Sequence, residues 1–324
     1  MTNDKSPHLL NRISKVEVLL ALVTLTFGAL TTSKNAGMAF ADWPTSDGYL
    51  MVTYPWLRDF SVNWDKFLEH GHRLAGMVIG MWSILLVVMA FRLESRVWVK
   101  RLAVGILLGV ICQGLLGGFR VQLNDRGLAM LHGIFAAIVF SLMGTMVAVT
   151  SPQWRNAGEW RTIRSLTTVK RLSVAIVILV LMQYILGSLV RHQGTSLHEH
   201  LGLGLLVMLV IAANAVAAAR LGPGWLRRSA FTLLGITVLQ VAFGLLTWVV
   251  KFGLPAVGYV AIADSTQQLL VRTVHMVWGT VTLLAAVVNM LKVYRVAAVS
   301  AVAVRADADV PSPASTLIAS GGRP

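Results

Sequence analysis

The chain has 324 residues, 56% of them hydrophobic, and a mean hydropathy of +0.70. Its charged fraction of 13% is about half of the ~25% found in soluble globular chains, which excludes that class. The net charge of +14 invites a nucleic-acid reading, and the distribution of that charge along the chain excludes it as well.

Eight apolar runs reach, or nearly reach, the roughly 17–25 residues needed to cross a bilayer as helices. They fall near 16–32, 72–90, 102–119, 131–150, 172–190, 200–219, 230–250 and 273–290. The predicted fold class is an all-α polytopic membrane protein, its eight transmembrane helices forming two pseudo-symmetric four-helix bundles. Lys5, Arg12 and Lys15 ahead of the first run resemble a signal peptide. That run is long for such a segment, and Ala39-Phe40-Ala41 lies far beyond it as a cleavage site, so it is read as an uncleaved first helix.

The first run leads into a long outer segment, 33–71, where Trp43, Trp56 and Trp64 stand among Asp42, Asp47, Asp59, Asp65 and Glu69. Phe60, Trp64, Phe67 and Leu68 have near-helical spacing, which predicts a short helix lying on the membrane surface. The inner segment 151–171 divides the chain, giving an N-terminal bundle over 1–150, a linker, and a C-terminal bundle over 172–295. Ser265 and Gln268 have capping-box spacing, so the eighth span is expected to begin with an extra outer turn. Residues 296–324, rich in Ala, Val, Ser and Pro, are expected to form a poorly ordered tail. The N-terminus, the segments 91–101, 151–171 and 220–228, and the tail with the adjoining Lys292 and Arg295 hold 19 of the 28 Lys and Arg. The positive-inside rule therefore places both termini in the cytoplasm, and the basicity is topological.

Four histidines open apolar runs: His72, His132, His200 and His275. Each is followed four residues on by a small residue (Gly76, Ala136, Gly204 or Gly279), on the same helix face one turn deeper, where a flat macrocycle can approach the backbone. Gln-x-x-x-Gly recurs at Gln113–Gly117, Gln183–Gly187 and Gln240–Gly244, each just before a histidine-bearing run, and suggests duplication or close helix packing. In an up-down-up-down bundle, alternate helices run parallel across a diagonal, so His72 is expected to face His132 and His200 to face His275 near the outer membrane face. Opposed imidazoles match the axial ligation of a haem, whereas structural zinc needs four ligands converging on one point.

Arg73, Arg120, Arg191 and Arg272 lie near these positions on the outer side and are candidates for haem propionates, Arg272 foremost because it shares a face with His275. Among the other histidines, His8 and His192 are expected to be solvated, and His70 meets Leu74 at its i+4 position. His198 rivals His200 but sits further from its apolar run. Glu69, three residues before His72, is placed for proton transfer or for stabilising positive charge. The single cysteine, Cys112, leaves no disulfide within the chain and no thiolate cluster.

Glu69-His70-Gly71-His72-Arg73, the three further histidines, the eight spans in two halves, and the stretch Ala36-Gly37-Met38-Ala39-Phe40-Ala41-Asp42-Trp43-Pro44 followed by Gly48 resemble the heme A synthase family over roughly residues 16–295. The resemblance implies oxidation of the C8 methyl of heme O to a formyl group, giving heme A for terminal oxidases. It implies two successive hydroxylations and then loss of water. It also implies that His72 and His132 hold the substrate haem, that His200 and His275 hold a heme b, and that Glu69 is catalytic. Location in a bacterial inner membrane, in contact with lipid, an electron donor and heme O synthase, follows as an expectation. Many members carry a cysteine pair in the first outer loop, and here Phe40 and Ser46 occupy those places. A non-catalytic dihaem cytochrome b taking electrons from a quinol is the alternative; it leaves Glu69 and the tryptophan-rich outer loop unexplained.

Overall fold

The computed structural model describes residues 6–162 and 164–308. It is 83% helical, with no strands among the described residues, and eight of its helices are long and apolar enough to span a membrane. These are α1 (Ser6–Ser33), α3 (Trp64–Leu93), α4 (Val97–Leu123), α5 (Arg126–Thr150), α7 (Thr167–Gln193), α8 (Leu197–Leu221), α9 (Gly224–Phe252) and α10 (Thr266–Ala308), while α2 (Trp56–Val62) and α6 (Pro152–Arg155) are short. The chain is a multi-pass membrane protein. Inside a bilayer only intra-helical hydrogen bonds satisfy the backbone, which is why every apolar run becomes a helix.

Polar side chains set the helix ends. Asn63, in extended backbone, accepts from Lys66 N at 3.1 Å and starts α3. Asp125 does the same for α5, accepting from Leu128 N at 2.7 Å. The Asn63 cap corrects one expectation: Phe60–Leu68 is not one surface helix but is split between α2 and α3. The consequence favours the site, because α3 then begins two turns outward of His72 and carries Glu69 on the same helix. Ser265 Oγ accepts from Gln268 N at 3.3 Å and starts α10 two turns before His275, as the capping-box spacing predicts. The Gln268 side chain instead donates to Val250 O of α9 at 2.7 Å.

Residues 296–308, expected to belong to a disordered tail, continue α10, because Ala, Val and Arg are compatible with helix and no proline intervenes before Pro311. The rest of that predicted tail lies outside the described residues.

In the first half α1 packs against α3 and α5, and α4 lies against both α3 and α5. In the second half α7 and α9 each pack against α8 and α10. Helices α5 and α10 are the join: α10 contacts α1 and α5, and α5 contacts α7. The tightest cross-contact is Leu284 of α10 lying on Gly144 of α5, where an added Cβ would sit 2.5 Å from Leu284 Cγ. At the membrane face remote from the histidines, buried Glu94 accepts from Arg96 at 2.7 Å and from Arg155 at 3.3 Å, tying the α3–α4 turn to the central linker.

Candidate functional site

Each of the four run-opening histidines leans on a glycine of the preceding spanning helix. An added Cβ would sit 2.8 Å from His72 Cε1 at Gly28, 3.2 Å from His132 Cε1 at Gly117, 3.0 Å from His200 Cε1 at Gly187 and 3.1 Å from His275 Cε1 at Gly244. Glycine at these places lets the ring lie against backbone. Three of them close the Gln-x-x-x-Gly motifs, and Gln113 and Gln183 donate through Nε2 to the main-chain carbonyls of His132 (3.1 Å) and His200 (2.8 Å). The fourth glycine stands in Thr24-x-x-x-Gly28 on α1, the member of the series that the glutamine pattern conceals. Here the Thr24 carbonyl accepts from His72 Nδ1 at 3.0 Å. A carbonyl cannot donate, so in the neutral ring the proton is on Nδ1 and the Nε2 lone pair is free to bind a metal.

The rings meet in pairs. His72 and His132 have centroids 6.1 Å apart and planes at 84°; His200 and His275 are 6.2 Å apart at 88°. Two metal–nitrogen bonds of about 2 Å each, plus half a ring at each end, account for a separation of about 6 Å. His200 rather than the exposed His198 faces His275.

The first pair opens on a cavity of about 410 Å³, within the usual range for a small-molecule site. Gly76 and Ala136 line it, and nothing lies within 4 Å of where a Gly76 Cβ would be. In the second pair the equivalent glycines are covered: an added Cβ on Gly204 would lie 3.1 Å from Gln183 Nε2, and one on Gly279 would lie 3.1 Å from Gln240 Nε2.

Glu69 and Arg73 also line the first cavity. Glu69 Oε2 accepts from Ala39 N at 2.7 Å and Phe40 N at 3.3 Å, while Oε1 accepts from Arg73 Nη2 at 2.7 Å. All three partners are donors, which suits an acceptor-only carboxylate. Arg73 donates in addition to Asp42 O (2.9 Å) and Thr45 O (2.7 Å), so α3 and the outer loop are held as one piece. Asp42 in turn accepts from Asp47 N and Gly48 N, both at 2.9 Å. Burial pushes the Asp42 carboxyl up, but hydrogen bonds led by Gly48 N outweigh it and hold its pKa down at about 2.

Phe40 and Ser46 are fully buried in this loop. Phe40 packs against Tyr54 and His70, and Ser46 Oγ lies 3.0 Å from His70 Nδ1. His70 Nε2 donates to Met51 O at 3.0 Å, so this histidine anchors the loop.

Of the four arginines singled out from the sequence, Arg73, Arg120 and Arg191 line the first cavity, and Arg272 does not. Arg120 donates to Gly37 O. Arg191 crosses between the halves: it stands on α7 yet donates to Ala29 O (3.0 Å) and Ser33 Oγ (2.9 Å) of α1, leaving its buried Nε without a partner. His192, expected to be solvated, lines the same cavity because α7 continues to Gln193. Met276, next to His275, reaches it from α10.

The model of the COX15-CtaA family, described as cytochrome oxidase assembly protein, matches residues 19–200, more than half of the chain. The chain belongs to this family. A search of curated proteins gives no match. The family match runs from α1 into the start of α8, so it takes in Glu69, His72, His132 and His200. As a cytochrome oxidase assembly protein the chain serves heme A synthesis, and its repeated histidine pairs lie within a membrane-embedded helical frame.

Proposed function

We propose that this protein is a heme A synthase that oxidises the C8 methyl of heme O to a formyl group through successive hydroxylations. The first cavity, between His72 and His132, receives heme O as substrate; His200 and His275 would hold a heme b, which would supply electron-transfer chemistry. The observation that carries this reading is the pair of histidine pairs with near-equal separations, of which one opens on a cavity with a buried glutamate. The charge of that cavity supports it: Arg73, Arg120 and Arg191 against Glu69 leave two positive charges, matching two propionates. Arg272 is assigned to the second site's rim.

When bound, the haem supplies redox chemistry at a macrocycle whose methyl is oxidised. The chain supplies position and charge. His72, held at Nδ1 by Thr24 O, and His132, facing it from α5, would be the residues that hold the haem. Glu69, held by Ala39 and Phe40 amides and by Arg73, faces the cavity as an acceptor for a proton or as a counter-charge to a developing cation. Phe40 and Ser46 hold the outer loop by packing and hydrogen bonding where many relatives have a cysteine pair, so no disulfide chemistry takes part. Residues 1–150 and 172–295 act as substrate and electron-transfer bundles in a bacterial inner membrane, both termini cytoplasmic and the histidines near the outer face. Reporter fusions after Ser95 and Gly158 should score as inside, and those after Gly48 and Thr195 as outside; the opposite pattern inverts this orientation.

Pigment extraction tests the function. Protein co-expressed with heme O synthase should contain heme B together with heme O or heme A. Heme B alone would make the chain a non-catalytic dihaem cytochrome.

A further inference from the structure

Below the first cavity lies a carboxyl that the proposed chemistry does not use. Glu17 of α1 is 0% exposed and stands within a membrane-spanning helix, where ionisable groups are costly and usually functional. The cavity is lined on α1 by Ala21, Thr24, Leu25 and Gly28, and on α3 its deepest lining residue is Ile79. Glu17 is four residues below Ala21 and its partner Ser83 four below Ile79, so both sit one helical turn, about 5–6 Å, beneath the floor.

Burial and the contacts around Glu17 together favour a protonated carboxyl. Ser83 Oγ lies 2.8 Å from Glu17 Oε1 and 2.9 Å from Ile79 O. A hydroxyl has one proton, and a carbonyl and a carboxylate both only accept. Ser83 can share its proton between these two acceptors, but a carboxyl fully buried in a membrane helix favours the neutral form, in which Ser83 donates to Ile79 O and Glu17 Oε1 donates to Ser83 Oγ. Glu17 Oε2 is then a buried acceptor without a partner. On the far side of Glu17, Ser14 lies one turn away on the same face of α1 at i−3, and Asn11 at i−6 is turned about 120° from it, toward α5. Both are buried, and Asn11 Nδ2 reaches Val147 O at 2.8 Å and Thr150 Oγ1 at 3.0 Å near the membrane face remote from the histidines. Buried polar side chains thus stand on α1 between that face and Glu17.

We propose that Glu17 is a proton donor to the first cavity, reloaded from the membrane face opposite the histidines. One proton leaves Glu17 Oε1 for a water or oxyanion in the cavity. Ser83 then turns its hydroxyl from Ile79 O to the new carboxylate and stabilises it, and a proton arriving from the far face restores the acid. No electrons move in this step. The inference rests on the oxidase reading only for its purpose, since the proton and the switch belong to the polypeptide alone.

Infrared spectra of the purified full chain in nanodiscs, in H2O and D2O, test it together with haem analysis of the same samples. Wild type should show a carboxylic-acid C=O band that shifts in D2O, is absent from Glu17→Gln, and moves in frequency in Ser83→Ala. Glu17→Gln should keep wild-type haem content yet form heme A about a hundredfold more slowly, a loss at the low end of proton-transfer effects. A spectrum with no such band, or a band indifferent to D2O, overturns the proposal. So does a Glu17→Gln protein with wild-type turnover. If Glu17→Gln does not fold, the response of the band to D2O and to Ser83→Ala decides. A haem-free sample that still shows the exchanging band would sink the oxidase reading and leave the proton site standing.

Discussion

Between the two halves of the chain the histidine geometry scarcely changes: ring separations are 6.1 and 6.2 Å, and plane angles 84° and 88°. The surroundings change a great deal. Beside the first pair are an open patch at Gly76, a buried glutamate locked to the outer loop, and three arginines from α3, α4 and α7. Beside the second pair the matching glycines are covered by Gln183 and Gln240. The repeated frame, a histidine seated on a glycine of the preceding helix, builds two like histidine pairs. What distinguishes the first of them is added from outside the repeat, by the 33–71 loop and by Arg191 reaching across from the other half.

The largest expected break in this asymmetry is at Glu69. Glu69→Gln keeps the shape but replaces a carboxylate with an amide, so heme A formation should fall by about 10²–10⁴. Both haems should remain, with heme O or a hydroxylated intermediate accumulating; extraction and chromatography of the haems check this. Wild-type heme A yield would make Glu69 a bystander, and loss of all haem would make its role structural.

A smaller effect separates the four glycine seats. Gly28→Ala brings a methyl within 2.8 Å of the His72 ring, closer than the 3.0 Å at Gly187, 3.1 Å at Gly244 or 3.2 Å at Gly117. The ring must move, and the Thr24 hydrogen bond with it, at a cost of about 1–3 kcal/mol. Gly28→Ala should therefore weaken the first site more than Gly117→Ala does, read as haem loss on titration with competing apo-protein. Equal losses at both positions would mean that the seats do not set ligand geometry.

The eight spans and the histidine set were legible from apolar run length and from histidines at run mouths, because in a bilayer both follow from solvation alone. The fourth seat was not, since it uses a threonine carbonyl in place of a glutamine and main-chain acceptors leave no trace in a sequence. Glu17 was hidden by lying at the very start of the first run, where a charge reads as flanking. His192 was expected to be solvated, and the place of Arg191 and His192 in the first cavity was hidden for a different reason. Their helix belongs to the second half, and only packing against α1 turns them toward the first cavity. The division of Phe60–Leu68 shows the same limit locally: aromatic spacing suggested one helix, and a single asparagine cap made two.

The smallest expected effect concerns the loop that distinguishes the first site. Asp42 has its folded pKa held down at about 2, below the ordinary aspartate value of about 3.9. Its contribution is therefore complete above about pH 4 and is lost as pH falls through about 2. Protection of the Asp47 and Gly48 amides should fade only in that window, as measured by hydrogen exchange, and Asp42→Asn should abolish the pH dependence. Protection lost already near pH 4 would show that the Asp42 hydrogen bonds do not hold the loop.

The division of labour between the halves is tested most directly by the haem types retained in His132→Ala and His275→Ala proteins co-expressed with heme O synthase. His132→Ala should keep heme B and lose heme O and heme A by about tenfold or more, equivalent to about 1.4 kcal/mol of binding or more. His275→Ala should lose heme B by a similar factor while heme O remains. Equal loss of both haem types from either variant, or unchanged content in both, would contradict two separate sites with one substrate haem and one resident haem.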